Sequence, residues 1–404
     1  MPFFWKRGIY TKKLENFFKD YLEVDYAISF IQGRVGLYAI LKALNLKKGD
    51  QVLVQSYTHV AVSNAIIWNK AIPVYVDIYS DTFNMDNKDL EKKITKKSKV
   101  LIIQHTYGLV AEVDKLLKIA KKHNLFVIED CAHAIGSEYK GQKAGTFADA
   151  AFFSLGRNKL IDATTGGMVV TRHNWLAQRL NSYRDKLAFP GYQWILKFLF
   201  FPVGIKLTNQ IYYFFNIGEK LYEHLRKIGF FPKAVVEEEK IGKKPNDFEQ
   251  KLPDAMAFLA YQQLKELDKL IAHRRRLAKL YDSKLKNLHL MLPKEPKGYF
   301  HTYLVYNVLT DKNLLLIQKA IDRNILIGNW FHKSAIEMAE ADFSKFYYHP
   351  RLCPMAENLA QKSLDLPTVP AVSLQDARSI ANFVKDYFRK FSGKSFHNLQ
   401  ISNL

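Results

Sequence analysis

From about residue 10 to 170, short apolar runs alternate with longer stretches whose apolar residues recur every three to four positions. "TKKLENFFKDYL" and "VGLYAILKALNL", the latter stopping at "KKGD", have helical spacing. So do "SNAIIWNK", "DNKDLEKKIT" and "VDKLLKIAKKHN". Between them "QVLVQSY", "IPVYVDI", "KVLIIQHT", "LFVIED", "AAFFSL" and "GGMVVT" read as strands. Short apolar strands alternating with helices predict an α/β domain on a mainly parallel sheet, covered on both faces. Ligands of such sheets bind beyond the carboxyl ends of the strands. The polar residues at those ends are therefore candidates: Tyr57 to His59, His105, Glu129 to His133, and Ser154 to Lys159.

After Thr171 the pattern changes. Residues 192–232 are aromatic and basic, with six Lys/Arg against two Glu from Trp194 to Lys233. Pro202, Lys197 and Lys206 interrupt the run, so it does not read as a spanning helix. Apolar and aromatic residues flanked by basic ones suit a segment lying on an anionic membrane, and equally a pocket wall or a dimer interface. "VVEEEKIGKKPNDFEQ" reads as loop, and the stretch from "LPDAMAFLAYQQL" to "LAKLYDSKL" as one long helix. "GYFHTYLVYNVL", "LLLIQKAIDRNILIG" and "LQDARSIANFVKDYFRKF" read as strand, helix and closing helix of a smaller α/β domain. The expected division is a large domain over 1–250 and a linking helix plus small domain over 251–404.

The chain has 404 residues, 48% hydrophobic and 25% charged, enough for a sizeable core. The net charge of +21 points to an anionic partner or to a lysine-rich surface. "HRRRL" at 273–277 lies in a helical pattern and reads as a solvated face, so no nucleic acid is expected. Two cysteines make no disulfide framework, and no Cys/His spacing suggests a metal. The first residues carry no signal-peptide pattern, and a cytoplasmic setting is expected, with the membrane's inner face as a further place of contact.

Lys159 follows the predicted strand "AAFFSL" and precedes a Gly-Gly pair. A lysine drawn out of water loses its preference for the charged form. A neutral amine can join an aldehyde as a Schiff base. Pyridoxal 5'-phosphate requires such a lysine, a carboxylate for its ring nitrogen and donors for its phosphate. Asp130, at the end of "LFVIED", is a candidate carboxylate, although strand-end aspartates are more often helix caps. "FIQGRVGLYAILKAL" runs from a glycine turn into a helix, an arrangement that favours anions.

Taken together, these blocks resemble the DegT/StrS family of sugar-nucleotide aminotransferases. The resemblance runs from "GRVGLYAILKALNLKKGD" through "VIEDCAHAIGSEYKGQKAGTFADAAFFSLGRNKL" to "KSLDLPTVP", over most of the chain. It implies the fold type I of pyridoxal-phosphate transferases: a large, mainly parallel seven-stranded sheet domain and a smaller C-terminal α/β domain. It implies a homodimer that takes a nucleotide-linked keto-sugar and an amino-acid donor, glutamate, for the assembly of surface glycans. Lys159 is then the Schiff-base lysine, Asp130 the partner of the ring nitrogen, and His133 a contact of the ring oxygen. Ser154 and the turn of Gly33, Arg34 and Val35 hold the phosphate. His59 stacks on the ring, with Tyr57 as second choice.

Three positions depart from the family. Gln32-Gly33-Arg34 replaces a Ser-Gly-Thr turn, so Arg34 either meets the phosphate or points away. Thr165 stands where an acid is usual. Glu249 and Lys251 stand where a second subunit lends asparagine and arginine; Lys251 serves as a point charge there. The alternatives are a sugar dehydratase of the same family, which has histidine in place of Lys159, and a non-catalytic binding protein on the same fold.

Overall fold

The structure, a computed structural model, describes residues 3–210, 220–221, 224–225, 227, 229–288, 290–331, 335–337 and 342–392. The first ten strands in chain order are β1 (Tyr26–Phe30), β2 (Gln51–Gln55), β3 (Thr58–His59), β4 (Ile72–Val76), β5 (Ser98–Gln104) and β6 (Phe126–Asp130), then β7 (Glu138–Tyr139), β8 (Gln142–Lys143), β9 (Ala150–Ser154) and β10 (Gly167–Thr171). Seven of them form one sheet in the order β1-β10-β9-β6-β5-β2-β4. β4, β2, β5, β6 and β9 run parallel. β10 runs antiparallel to both β9 and β1. A loop, not a crossover helix, joins β9 to β10, and a loop can return the chain only in the opposite direction.

The strands are apolar on both faces, and side chains alternate between two cores. Val52, Val54, Ile102, Ile128 and Phe152 belong to one. Leu53, Leu101, Ile103, Val127 and Phe153 belong to the other. The helix Gly33–Ala43 buries Val35, Leu37, Ile40 and Leu41 in the first core. Gly36 permits this approach, because a Cβ there would lie 2.8 Å from Val169 Cγ2.

The structure corrects three expectations. β1 lies in "YAISF", which the pattern passes over. Its interior Ser29 breaks the apolar run and donates N–H and Oγ–H to the buried Glu15 carboxylate. The long helix is two, Asp254–Leu264 and Leu267–Leu285, parted at Lys265 and Glu266. "HRRRL" is not a solvated face throughout: Arg274 is buried and donates to the Leu304 carbonyl and Thr368 Oγ1.

A third core holds the C-terminal elements, including Tyr306, Val308, Leu364 and Val384. The chain passes to it later than residue 250. Met256, Ala257 and Ala260 still pack in the second core, as do Leu267 and Ile271. Leu277, Tyr281 and Leu285 of the same helix pack in the third.

Within the aromatic segment, residues Tyr192–Gln210 form a helix with Pro202 inside it. Ile195 and Phe198 are buried in the second core. The part of this segment at 211–219 lies outside the described residues. No helix among the described residues is long and apolar enough to cross a membrane.

Candidate functional site

Sheet register brings the polar strand ends together. Gln104 at the end of β5 pairs with Asp130 at the end of β6, and Asp130 pairs with Phe152 of β9, two residues before Ser154. Beyond these ends lies one pocket. Gly33, Arg34, His59, Asp130, His133, Ser154 and Lys159 all line it.

Lys159 stands on the loop between β9 and β10, and the loop is held from both sides. Leu160, Ile161 and Ala163 are buried in the second core. The Asp162 carboxylate accepts the N–H groups of Asn158 and Thr164. Gln263 brackets Asp162 by accepting its N–H and donating to its carbonyl. The lysine is half-buried, and its Nζ sits 4.6 Å from the centre of the Trp330 ring. Desolvation lowers its pKa from 10.5 to about 8, against the pull of Asp130, which raises it. Asp130 is pushed up to about 6 by burial, opposed by the Ala132 N–H it accepts and by the Lys159 charge. The amine and the carboxyl are therefore both moved toward neutral pH.

Two histidines face the same space with fixed tautomers. His133 Nδ1 accepts the Tyr107 N–H at 3.3 Å, and its ring stacks on Trp330 at 5.0 Å between centres. His59 Nδ1 accepts the Ala61 N–H, which caps the helix Val60–Trp68. Burial holds both rings neutral, His59 down to about 3.

The glycine turn lies tight against β9. A Cβ on Gly33 would lie 2.9 Å from the Phe153 carbonyl and 3.1 Å from Ser154 Cβ. The Gly-Gly pair before β10 has its reason here as well. Gly166 has φ of +142°, and a Cβ on Gly167 would collide with the Gln32 carbonyl and the Gly33 nitrogen. Arg34 borders the pocket, but its guanidinium is engaged. Nε donates to Gln32 Oε1 at 2.7 Å, one terminal nitrogen to Glu239 Oε1 at 2.6 Å and the other to the Ala234 carbonyl.

Two residues expected at the site, Tyr57 and Val35, stand elsewhere, and Lys251 is expected only at a second subunit's site. Tyr57 has a left-handed backbone, φ 63°, that turns its ring into the core, stacked on Phe331 at 4.3 Å. Its hydroxyl meets Tyr107 and Ser363, so it does not reach the pocket. Val35 is wholly buried, and its N–H donates to the Gln32 carbonyl within the first helical turn. Lys251 donates to the Asp185 carbonyl, away from this chain's pocket. Of the departures, Thr165 lines the pocket and donates its hydroxyl to the Ile31 carbonyl. Glu249 is paired with Lys42 and Lys244.

The pocket also takes Trp330 and Phe331, which the sequence pattern did not single out; they follow the helix Asn313–Ile321 and pack back on the sheet's cores. Phe198 of the aromatic helix and Lys233 after it line the pocket too, so that segment supplies part of the pocket wall, one of the places expected for it. No periodicity marks Trp330 and Phe331, which stand side by side in "GNWF". His105 lies behind the pocket. Its Nδ1 accepts the Ala111 N–H, so Nε2 carries the proton and donates to Glu129 at 2.9 Å. Glu129 also accepts the N–H groups of Gly145, Phe147 and Ala148. Although Cys131 lies close enough to complete a metal-like triad, the donor atoms of His105 and Glu129 are committed to these bonds.

A family model described as the DegT/DnrJ/EryC1/StrS aminotransferase family matches residues 3–191 and 215–385. The GDP-perosamine synthase of Escherichia coli O157:H7 is 30% identical over 385 residues, 95% of this chain and 91% of that protein. A UDP-N-acetyl-3-dehydro-alpha-D-glucosamine 3-aminotransferase of Acidithiobacillus ferrooxidans is 26% identical over 370 residues, 90% of this chain and 84% of that protein. Among solved structures, the Helicobacter pylori aminotransferase PseC superposes with a TM-score of 0.73 at 22% identity, covering 96% of this chain and 93% of its own.

Proposed function

The chain belongs to the DegT/DnrJ/EryC1/StrS aminotransferase family and is a pyridoxal-phosphate-dependent sugar aminotransferase; within that class we propose that it aminates a keto-sugar carried on a nucleotide, with glutamate as donor. The carrying observation is that Lys159, Asp130 and the Gly33 turn border one pocket.

The donor set fits the cofactor. A base, a buried carboxyl and a helix N-terminus free of a side-chain barrier at Gly33 match an aldehyde, a ring nitrogen and a phosphate. When bound, pyridoxal phosphate supplies an electron sink for the carbon that loses its proton. Ser154 and the first turn of Gly33–Ala43 would hold the phosphate. Asp130 would keep a proton on the ring nitrogen. His133 and His59, both neutral, orient the ring, and the proton of each lies on Nε2 because Nδ1 accepts a backbone N–H. Lys159, with a pKa near 8, would accept the proton lost by the donor's α-carbon and later give it up, as base and then acid. Trp330 beside its Nζ excludes water from the amine. Arg157 and Lys233, also lining the pocket, place positive charge where a nucleotide diphosphate would enter.

Arg34 serves as a brace between the turn and Glu239 rather than as the phosphate ligand. Lys251 acts, in this reading, across a homodimer interface. The large cofactor-binding unit and the small unit divide within Leu267–Leu285. The test is incubation of the pure protein with pyridoxal phosphate, glutamate and a panel of nucleotide-linked keto-sugars, with mass detection of the amino sugar. Amination of one or more of these, lost in Lys159→Ala, is expected. Activity only on keto-sugars without a nucleotide would overturn the substrate class.

A further inference from the structure

We propose that the outward face of the helix Tyr192–Gln210 is a seat for an anionic membrane surface. The helix is apolar on opposite sides. Ile195 and Phe198 point inward, and Trp194 stacks on Phe198 at 3.7 Å between ring centres. On the other side Leu196, Phe200, Val203 and Leu207 are 41%, 50%, 52% and 59% exposed. Their spacing of i, i+4, i+7 and i+11 makes one continuous stripe. A helix with a single buried face ordinarily shows water a polar one. Here both faces are apolar, and the protein's own core accounts for one of them.

Charge identifies the occupant of the other. The helix carries Lys197 and Lys206 and no acidic residue. At these positions the two lysines fall on either flank of the stripe, where a helix at the headgroup level carries its cations. Lys6 adds a third charge at the start of the stripe, its Nζ 4.3 Å from the centre of the Tyr192 ring. The chain's net charge of +21 gives the same sign at longer range. An apolar stripe between cations complements anionic headgroups over acyl chains; a second copy of this chain would bring the same cations against one another. The helix is too polar and interrupted to cross a bilayer, so the contact is a peripheral one. It also falls between the two stretches matched by the family model, and its inner face borders the pocket through Phe198. Binding here would set the pocket's mouth close to the membrane surface.

The test is flotation of the full-length, pyridoxal-phosphate-loaded protein with vesicles of phosphatidylcholine, with and without phosphatidylglycerol. Expected is flotation that requires phosphatidylglycerol and declines with salt. Lys206→Gln should weaken it about fivefold. The quadruple variant Leu196→Ser, Phe200→Ser, Val203→Ser and Leu207→Ser should abolish it while keeping the wild-type circular dichroism and amination rate, since none of the four lines the pocket. Wild type that stays with the soluble fraction on phosphatidylglycerol vesicles at low salt would overturn the proposal. So would a quadruple variant that floats like wild type, or one that instead converts a larger assembly to a smaller one in sedimentation without changing flotation. None of these readouts depends on which sugar the enzyme accepts.

Discussion

The Arg34 guanidinium meets the Glu239 carboxylate at 2.6 Å beside the pocket, with the two side chains only 14% and 4% exposed. This pair fastens the first turn of Gly33–Ala43 to the short helix Glu237–Lys240 beyond the aromatic segment. Removing one partner of a buried pair leaves the other charge uncompensated. Glu239→Ala should therefore lower the unfolding free energy by about 3 kcal/mol. Arg34→Met with Glu239→Leu should recover most of that loss. Urea denaturation of the three proteins checks this; an unchanged midpoint for Glu239→Ala would show that the pair is not a brace.

Lys159 must be neutral to capture an aldehyde, and its pKa is lowered to about 8. Capture of pyridoxal phosphate by the apoprotein should thus rise with pH and level off above 8. At pH 6 it should be slower by about a hundredfold, the two-unit difference in neutral amine. Asp130 supports the cationic amine, so in Asp130→Asn the midpoint should move below 8. Stopped-flow absorbance measures both, and a midpoint near that of an ordinary lysine would contradict the burial of the amine.

The same shifts act on stability with opposite signs. Asp130 is raised in the fold, so its contribution is fully present below pH 3.8 and is lost as pH rises through about 6. Lys159 is lowered, so its contribution is present above 10.5 and is lost as pH falls through about 8. Both penalties apply to the apoprotein between pH 6 and 8. In that window Lys159→Met should raise the apoprotein's melting temperature while abolishing the borohydride-trapped adduct. Calorimetry at pH 7 and at pH 10.5 checks it, because the gain should vanish at the higher pH.

Gly33→Ala places a methyl group 2.9 Å from the Phe153 carbonyl. Either the turn or β9 must shift, at about 1–3 kcal/mol, the usual range for an overpacked site. The cost should appear in cofactor affinity, which equilibrium titration of the apoprotein reads directly. Unchanged affinity together with lost stability would place the phosphate elsewhere.

Tyr57 and His59 make a pair of opposite expectations. Tyr57→Phe removes hydrogen bonds to Tyr107 and Ser363 and should cost about 1 kcal/mol of stability with turnover near wild type. His59→Ala, in the pocket wall, should lower turnover and weaken cofactor binding with a smaller effect on folding. Steady-state kinetics and melting curves of the two variants decide between the residues.

The parallel strands were legible because each is an unbroken apolar run between turn residues, and their polar ends announced the pocket before its geometry was known. The glycine turn and the lysine loop were legible for the same reason: special backbone and misplaced charge stand out in one dimension. β1 was not, since Ser29 is satisfied only by Glu15, fourteen residues away. The facing of Tyr57 was hidden because one left-handed residue reverses a side chain without changing the residues around it. Trp330 returns from far along the chain to pack on the sheet's own cores, and no local pattern reports such a distance. The break at Lys265 and Glu266 went unseen because both residues are good helix formers.

The helix Leu267–Leu285 is anchored in the sheet's core at one end and in the C-terminal core at the other. One rod is thus shared by two cores, Leu267 and Ile271 lying in the one and Leu277, Tyr281 and Leu285 in the other. Between them the buried Arg274 donates to the Leu304 carbonyl and Thr368 Oγ1 and ties the rod to the C-terminal elements. Loosening one core should therefore withdraw support from the other, so the two should melt as one cooperative unit.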